Sequence, residues 1–164
     1  MKKEMDIVEK TAREWLVKRG VTLDDIANLV YFLQVKYHTN LQIDDCKENV
    51  DRVLAKREVQ NAILTGIQLD MLAEKGLLEE PLLDIVKRDE GLYGVDEIIA
   101  LSIVNVYGSI GFTNYGYIDK QKPGILEELN DKDGKLCHTF LDDIVGAIAA
   151  AASSRLAHRA ANVE

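Results

Sequence analysis

The architecture turns on DEIIALSIVNVYGSI, residues 96–110. The segment is apolar nearly all round any helix drawn through it, and a helix of that character is buried on every side. The β-branched run SIVNVYGSI also suits a buried strand, but strands usually run roughly four to eight residues, so length favours a helix. A buried helix needs others around it, and the remaining sequence supplies them. Glu4–Arg19 carries Ile7, Val8, Ala12, Trp15 and Leu16 at helical spacing and stops at Gly20. Thr22, with Asp25 three residues on, opens a second helix through a capping box; Ile26, Leu29, Val30 and Leu33 form its stripe. Asp44 to about Gly76 reads as mostly helical, with a break or kink expected near Gly66. Pro81 suits the first turn of a short helix, Leu82–Arg88.

Beyond residue 110, Tyr115–Asp119 leads into Lys122-Pro123-Gly124, where the residue before proline leaves the helical region. The segment YGSIGFTNYGY around Tyr107, Tyr115 and Tyr117 reads as a tight turn or a pocket wall beside Asp119. Leu126–Leu129 is a short helix, Asn130–Gly134 a polar turn, and Thr139 to about Ala160 a last helix ending in Arg155, His158 and Arg159. The expected class is all-α: a compact helical bundle with a central buried helix surrounded by others, one domain over residues 1–164.

Composition narrows the function. The 164 residues are 47% apolar and only 6% aromatic, so the core is built from Leu, Ile, Val and Ala. A net charge of −8 argues against general nucleic-acid binding and against a polybasic membrane anchor. The two cysteines, Cys46 and Cys137, form neither a disulfide framework nor a zinc pattern. The N-terminal MKKEMDIVEK lacks the apolar core of a signal peptide, and the apolar run Ile144–Ala152 is far short of the ~20 residues a membrane span needs. A soluble, cytoplasmic protein is expected.

Most acidic residues lie in the first ninety positions on helix faces shared with Lys and Arg, as in KENVDRVLAKREV, and read as solvated surface. Three sets instead interrupt apolar sequence: Asp96-Glu97 in YGVDEIIAL, Asp119 with Lys122 in YIDKQKPG, and Asp142-Asp143 in TFLDDIVGAI. Each has a local explanation. Asp96 and Glu97 offset a helix dipole, Asp119 caps or turns, and Thr139 with Asp142 repeats the capping spacing of Thr22 with Asp25. Together they suggest more. Helix ends can converge, and carboxylates converging on a dry cleft call for a cation, for which hard oxygen ligands select Mg²⁺ or Mn²⁺. A lysine fixed by Pro123 is suited to a phosphate. Metal, lysine and carboxylates are the equipment of phosphoryl-group hydrolysis.

In this order and setting, VDEIIALSI, YIDKQKP and TFLDDIVGAI resemble the phosphatidylglycerophosphatase A family, in its soluble, YutG-like branch, over roughly Gly94–Ala152. The resemblance implies an all-α fold and Mg²⁺-dependent (or Mn²⁺-dependent) removal of the phosphate monoester from phosphatidylglycerophosphate. It makes Asp96, Glu97, Asp119, Asp142 and Asp143 candidate metal ligands, and Asp119, Lys122 and Asp142 candidate catalytic groups, with Lys122 on the phosphate. The chain departs from the family's membrane enzymes in having no apparent span and no Gly/Pro/Ser-rich block before Gly91. A soluble phosphomonoester and a lipid head group reached from the membrane surface are therefore both open as substrates. Pairing through a helix face into a homo-oligomer suits the composition. A non-catalytic helical scaffold is the alternative; a nucleotide pyrophosphohydrolase is weaker, for want of its paired Glu-x-x-Glu motifs. His138, just before the last helix, is a candidate proton shuttle, although a polar residue before a helix start needs no such role.

Overall fold

The computed structural model describes residues 5–108, 110–130 and 136–161. Among them the regular structure is helical: α1 (Ile7–Lys18), α2 (Leu23–Gln34), α3 (Ile43–Leu54), α4 (Arg57–Glu74), α5 (Leu82–Lys87), α6 (Val95–Val104), α7 (Ile110–Gln121), α8 (Ile125–Leu129) and α9 (Leu141–Ala161). Short 3-10 turns occupy Val35–Tyr37 and Asn105–Tyr107. Residues 131–134 of the expected polar turn lie outside the described residues.

The expected bundle around a buried helix forms, but the axis is α9 and not the 96–110 segment. α9 packs against α2, α3, α4, α6, α7 and α8. Every residue from Thr139 to Ser154 is buried. Its small side chains explain this. Ala147 and Ala149–Ala152 present only a methyl group in every direction, and all are fully buried. Several helices can then approach one axis closely, since interaxial distance follows the side chains at the contact. Phe140, Ile144 and Ile148 fill the remaining space, each stabilising by roughly 1.5–3 kcal/mol relative to exposure.

The shell is a ring. α2 packs on α3, α3 on α4, α4 on α6 and α6 on α7. Phe32 of α2 stacks on Tyr117 of α7, ring centroids 6.1 Å apart, and closes it. α1 lies outside, against α4. The 96–110 segment is split: α6 ends at Val104, a 3-10 turn follows, and α7 starts at Ile110, so YGSIGFTNYGY is largely helical and not a turn. α6 is also a shell helix, with Ile98 64% exposed on its outer side.

Local grammar holds elsewhere. Asp6 caps α1 by accepting from Val8 N (2.9 Å) and Glu9 N (3.0 Å). Ala12 and Leu16 of α1 are buried, whereas Ile7 faces solvent. The Thr22–Asp25 box forms, with Asp25 N donating to Thr22 Oγ1 (3.1 Å) and Thr22 N to Asp25 Oδ2 (2.8 Å). The chain does not break at Gly66; α4 runs through it, and the break falls at Ala55-Lys56, where Gln60 Nε2 donates to Leu54 O at 2.9 Å. Gly66 faces α9 instead. A Cβ there would stand 3.0 Å from Phe140 Cβ and inside contact distance of Ile144 Cδ1. The missing side chain is what lets α4 reach the axis.

Candidate active site

The site lies at the N-terminal end of α9, whose start is built differently from that of α2. The Thr139–Asp142 box predicted by analogy with Thr22–Asp25 does not form. Thr139 Oγ1 donates to Val86 O at 2.6 Å, in the last turn of α5. Asp142 Oδ1 accepts from its neighbour Asp143 N at 2.8 Å. The cap comes from α4. Asp70, fully buried, accepts from Phe140 N (3.0 and 3.3 Å to its two oxygens) and from Leu141 N (3.0 Å). Burial pushes the Asp70 carboxyl up to about 7, against the pull of those two N–H groups and of Arg19. Next to it, Arg19 pairs with Glu74 and donates to Cys137 O at 2.8 Å, so α1, α4 and the segment entering α9 are tied together.

With α9 held, the three acidic motifs converge. A cleft of about 170 Å³ is lined by Asp89, Glu90, Gly91, Asp96, Glu97, Asp119, Lys122, Asn130, Asp142 and Asp143. That is seven carboxylates and one lysine, and it includes all six predicted site residues. Asp96 and Glu97 arrive on the first turn of α6, after Gly94 in the left-handed conformation (φ 74°). Asp119 stands near the end of α7. Lys122 N closes the last turn of that helix on Ile118 O at 2.8 Å, and Lys122 itself is left-handed at φ 46°, where Pro123 prevents continuation of the helix. Its ammonium thereby reaches Asp119 Oδ1 at 3.2 Å and Asp142 Oδ2 at 3.5 Å. Among the described residues, Asp89 (φ 51°) is the other non-glycine residue with positive φ, and it too lines the cleft. Such conformations cost about 1–3 kcal/mol each and concentrate at functional sites.

The electrostatics follow from crowding. Burial, then Asp89 and Asp119, push the Asp142 carboxyl well above the carboxylate range, against Lys122 and the Asp143 N–H. Asp143 is pushed further by burial, by Asp142 and by a hydrogen bond shared with Asp96. Tyr115 donates its hydroxyl to Asp143 Oδ1 at 3.2 Å, and burial and that carboxylate raise the phenol above its usual value. Burial pulls the Lys122 ammonium down, but Asp142 and Asp119 outweigh it and hold it charged. The cleft thus holds an excess of carboxylate, offset among its lining residues by the Lys122 ammonium. As the side chains stand, no three His, Cys, Asp or Glu among the described residues are grouped to hold a metal ion.

Four lining residues escaped the sequence reading of the site: Asp89, Glu90, Gly91 and Asn130. Glu97 reaches the cleft as an exposed side chain, unlike the buried Asp96, Asp142 and Asp143. His138 lies on the wall of an adjoining pocket of about 230 Å³ that shares Asp89, Asn130 and Asp142 with the cleft. Its Nδ1 is 3.3 Å from Leu129 O, and burial lowers its pKa. Cys46 and Cys137 are buried free thiols. No helix among the described residues is long and apolar enough to cross a membrane.

An all-α protein with an acidic, lysine-bearing cleft at the end of its axial helix is the class this geometry defines. The chain belongs to the phosphatidylglycerophosphatase A family, whose model matches residues 11–158, well beyond the segment carrying the motifs. It is 69% identical to YutG of Bacillus subtilis over 157 residues, covering 96% of this chain and 95% of that protein. The crystal structure of the low temperature requirement C protein from Listeria monocytogenes superposes with a TM-score of 0.95 at 69% identity, covering 96% of this chain and 99% of that one. A Bacillus stearothermophilus protein of unknown function superposes at 0.93 with 75% identity, covering 95% and 97%.

Proposed function

We propose that this chain is a metal-dependent phosphatase that hydrolyses a phosphate monoester, with phosphatidylglycerophosphate, the lipid of the family's name, as the leading substrate. The observation that carries the reading is the Lys122 ammonium held between Asp119 and Asp142 in a cleft of seven carboxylates. The donor set fits a hard divalent cation by charge. The cleft sets seven carboxylates against one lysine, with burial and crowding pushing Asp142 and Asp143 above the carboxylate range, and a doubly charged ion would offset that excess with oxygen-preferring chemistry. Asp96, Glu97, Asp119, Asp142 and Asp143 would hold it. Bound there, Mg²⁺ or Mn²⁺ supplies Lewis-acid stabilisation of phosphate oxygens.

The chain's own groups do the rest. Lys122, released from Asp119 but still held by Asp142, neutralises the phosphate. Asp119, the more exposed of its two partners (36% against 8%), takes the proton of the water that attacks phosphorus and returns it to the alcohol oxygen that leaves as the P–O ester bond breaks. Asp142, anchored by the Asp143 N–H, keeps Lys122 aimed into the cleft. Tyr115 fixes Asp143 through its hydroxyl.

The test is phosphate release from phosphatidylglycerophosphate in mixed micelles and from soluble glycerol phosphates, with Mg²⁺ and with EDTA. The expected result is Mg²⁺-dependent release, lowered on the order of a hundredfold or more in Lys122→Met, as for loss of a positioned charge contact. Release that is absent or unaffected by chelation for every substrate sinks the proposal, and the preferred arm separates lipid from soluble substrate.

A further inference from the structure

A phosphate ester has two sides, and the acidic cleft accounts for one of them. The pocket of about 230 Å³ beside it shares the walls Asp89, Asn130 and Asp142. A molecule whose phosphate lies in the cleft therefore has adjoining room for the group beyond the ester oxygen. That room is several times the ~30 Å³ share of one water molecule in the liquid, enough for a short head group.

His138 stands on the wall of this pocket. Its Nδ1 is 3.3 Å from Leu129 O, and a carbonyl oxygen only accepts, so Nδ1 carries the ring proton. Burial and the Arg19 charge oppose a second proton. Nε2 is thus a bare acceptor. It is buried, and among the described residues nothing donates to it. Buried polar atoms are nearly always paired, and one left unpaired asks for a partner from outside the chain. The neighbouring donors are committed: Thr139 Oγ1 to Val86 O at 2.6 Å, and the Cys137 N–H to Glu74 Oε1 at 2.6 Å. What the pocket lacks is a donor. The ligand chemistry that brings one beside a phosphate is an alcohol bearing a further hydroxyl.

We propose that this pocket is the subsite for the leaving alcohol, and that His138 is its specificity-determining residue, with Nε2 accepting a hydrogen bond from a hydroxyl of that alcohol. The inference rests on the phosphatase reading for what fills the cleft. It goes beyond that reading in stating what lies across the ester: a polyol, free or carried as a lipid head group, and not a simple alkyl or aryl alcohol. His138 acts as an acceptor and not as the acid that protonates the leaving oxygen.

The test is binding of two phosphonates that cannot be hydrolysed, butylphosphonate and the dihydroxybutyl phosphonate that mimics glycerol phosphate, by calorimetry on the full chain with Mg²⁺. Wild type should prefer the diol by roughly tenfold, the net value of one neutral hydrogen bond. His138→Phe should erase that preference and still bind butylphosphonate as wild type does, which also shows that the variant folds. His138→Gln, whose side-chain carbonyl is an acceptor, should keep part of the preference. Equal affinities in wild type, as for an Nε2 that meets only water, overturn the inference even where phosphate esters are hydrolysed. So does a preference that survives His138→Phe. A preference for the diol with no ester hydrolysed upholds the subsite and sinks the phosphatase reading; binding of neither phosphonate sinks both. His138→Phe should also lower kcat/KM for the better of phosphatidylglycerophosphate in mixed micelles and free glycerol phosphate, and that comparison separates a lipid-borne polyol from a free one.

Discussion

Replacing Asp70 by alanine tests whether the site's helix is started by a carboxylate from another helix. Asp70 is fully buried and accepts from two backbone N–H groups at the first turn of α9, Phe140 N and Leu141 N, which are themselves buried. Asp70→Ala removes both acceptors and admits no long polar substitute. A buried donor left unpaired costs about 1–3 kcal/mol, partly relieved if water enters, so two cost roughly 2–4 kcal/mol. For a chain of this size 1 kcal/mol moves Tm by roughly 2–4 °C, which gives a drop of about 10 °C. Asp70→Asn keeps one carbonyl oxygen and should lose less than half as much. Urea and thermal unfolding at pH 6, followed by far-UV circular dichroism, measure both. If Asp70→Ala unfolds within about 0.5 kcal/mol of wild type, the range of an ordinary surface change, the capping argument is wrong.

The same residue gives a pH signature. Its folded pKa, near 7, is raised above the ordinary value of 3.8, so between about pH 4 and pH 7 the folded chain holds a proton that the unfolded chain has released. Stability should fall as pH rises through that window, by up to a few kcal/mol, and Asp70→Asn should flatten that part of the profile; a wild-type curve that rises over pH 4–7 in EDTA contradicts it. Gly66→Ala would gain ~0.5–1 kcal/mol from helix propensity in an open helix, but here its Cβ meets Phe140 and Ile144. The net expectation is a loss of about 1–3 kcal/mol in urea titration, and a stabilised variant would show that α4 and α9 have room between them.

What the sequence disclosed depended on how local each determinant is. The Thr22–Asp25 box is complete within four residues and was readable. Thr139 and Asp142 have the same spacing, yet Thr139 is taken by Val86 O and the cap comes from Asp70. No pattern within a single helix distinguishes the two copies. Gly66 was visible as a glycine but not as a contact, because its meaning depends on Phe140 and Ile144. The axial helix was missed for a related reason. Alanine scores as weakly hydrophobic, yet it is the residue that fits where several helices crowd one axis, while the greasier α6 keeps one face outward. The cleft was legible where carboxylates interrupt apolar sequence. Asp70, between Leu69 and Met71, meets that same criterion and could have been found by it. Asp89, Glu90 and Asn130 sit in polar surroundings and gave no such signal.

The position of α9 in the chain has a consequence for how the protein is made. α1 to α8 are all synthesised before the helix they surround. Until α9 is released from the ribosome, the inner faces of the shell helices have only one another to pack on, and their apolar side chains stay open to solvent or to a chaperone. Asp70 likewise waits, its carboxyl without the two backbone amides of Phe140 and Leu141 that it will cap. The nascent shell is therefore the species most at risk of aggregation. Ribosome-bound chains ending before residue 139 should expose far more dye-binding apolar surface than the finished protein, and the acidic cleft should assemble only in the last step of folding.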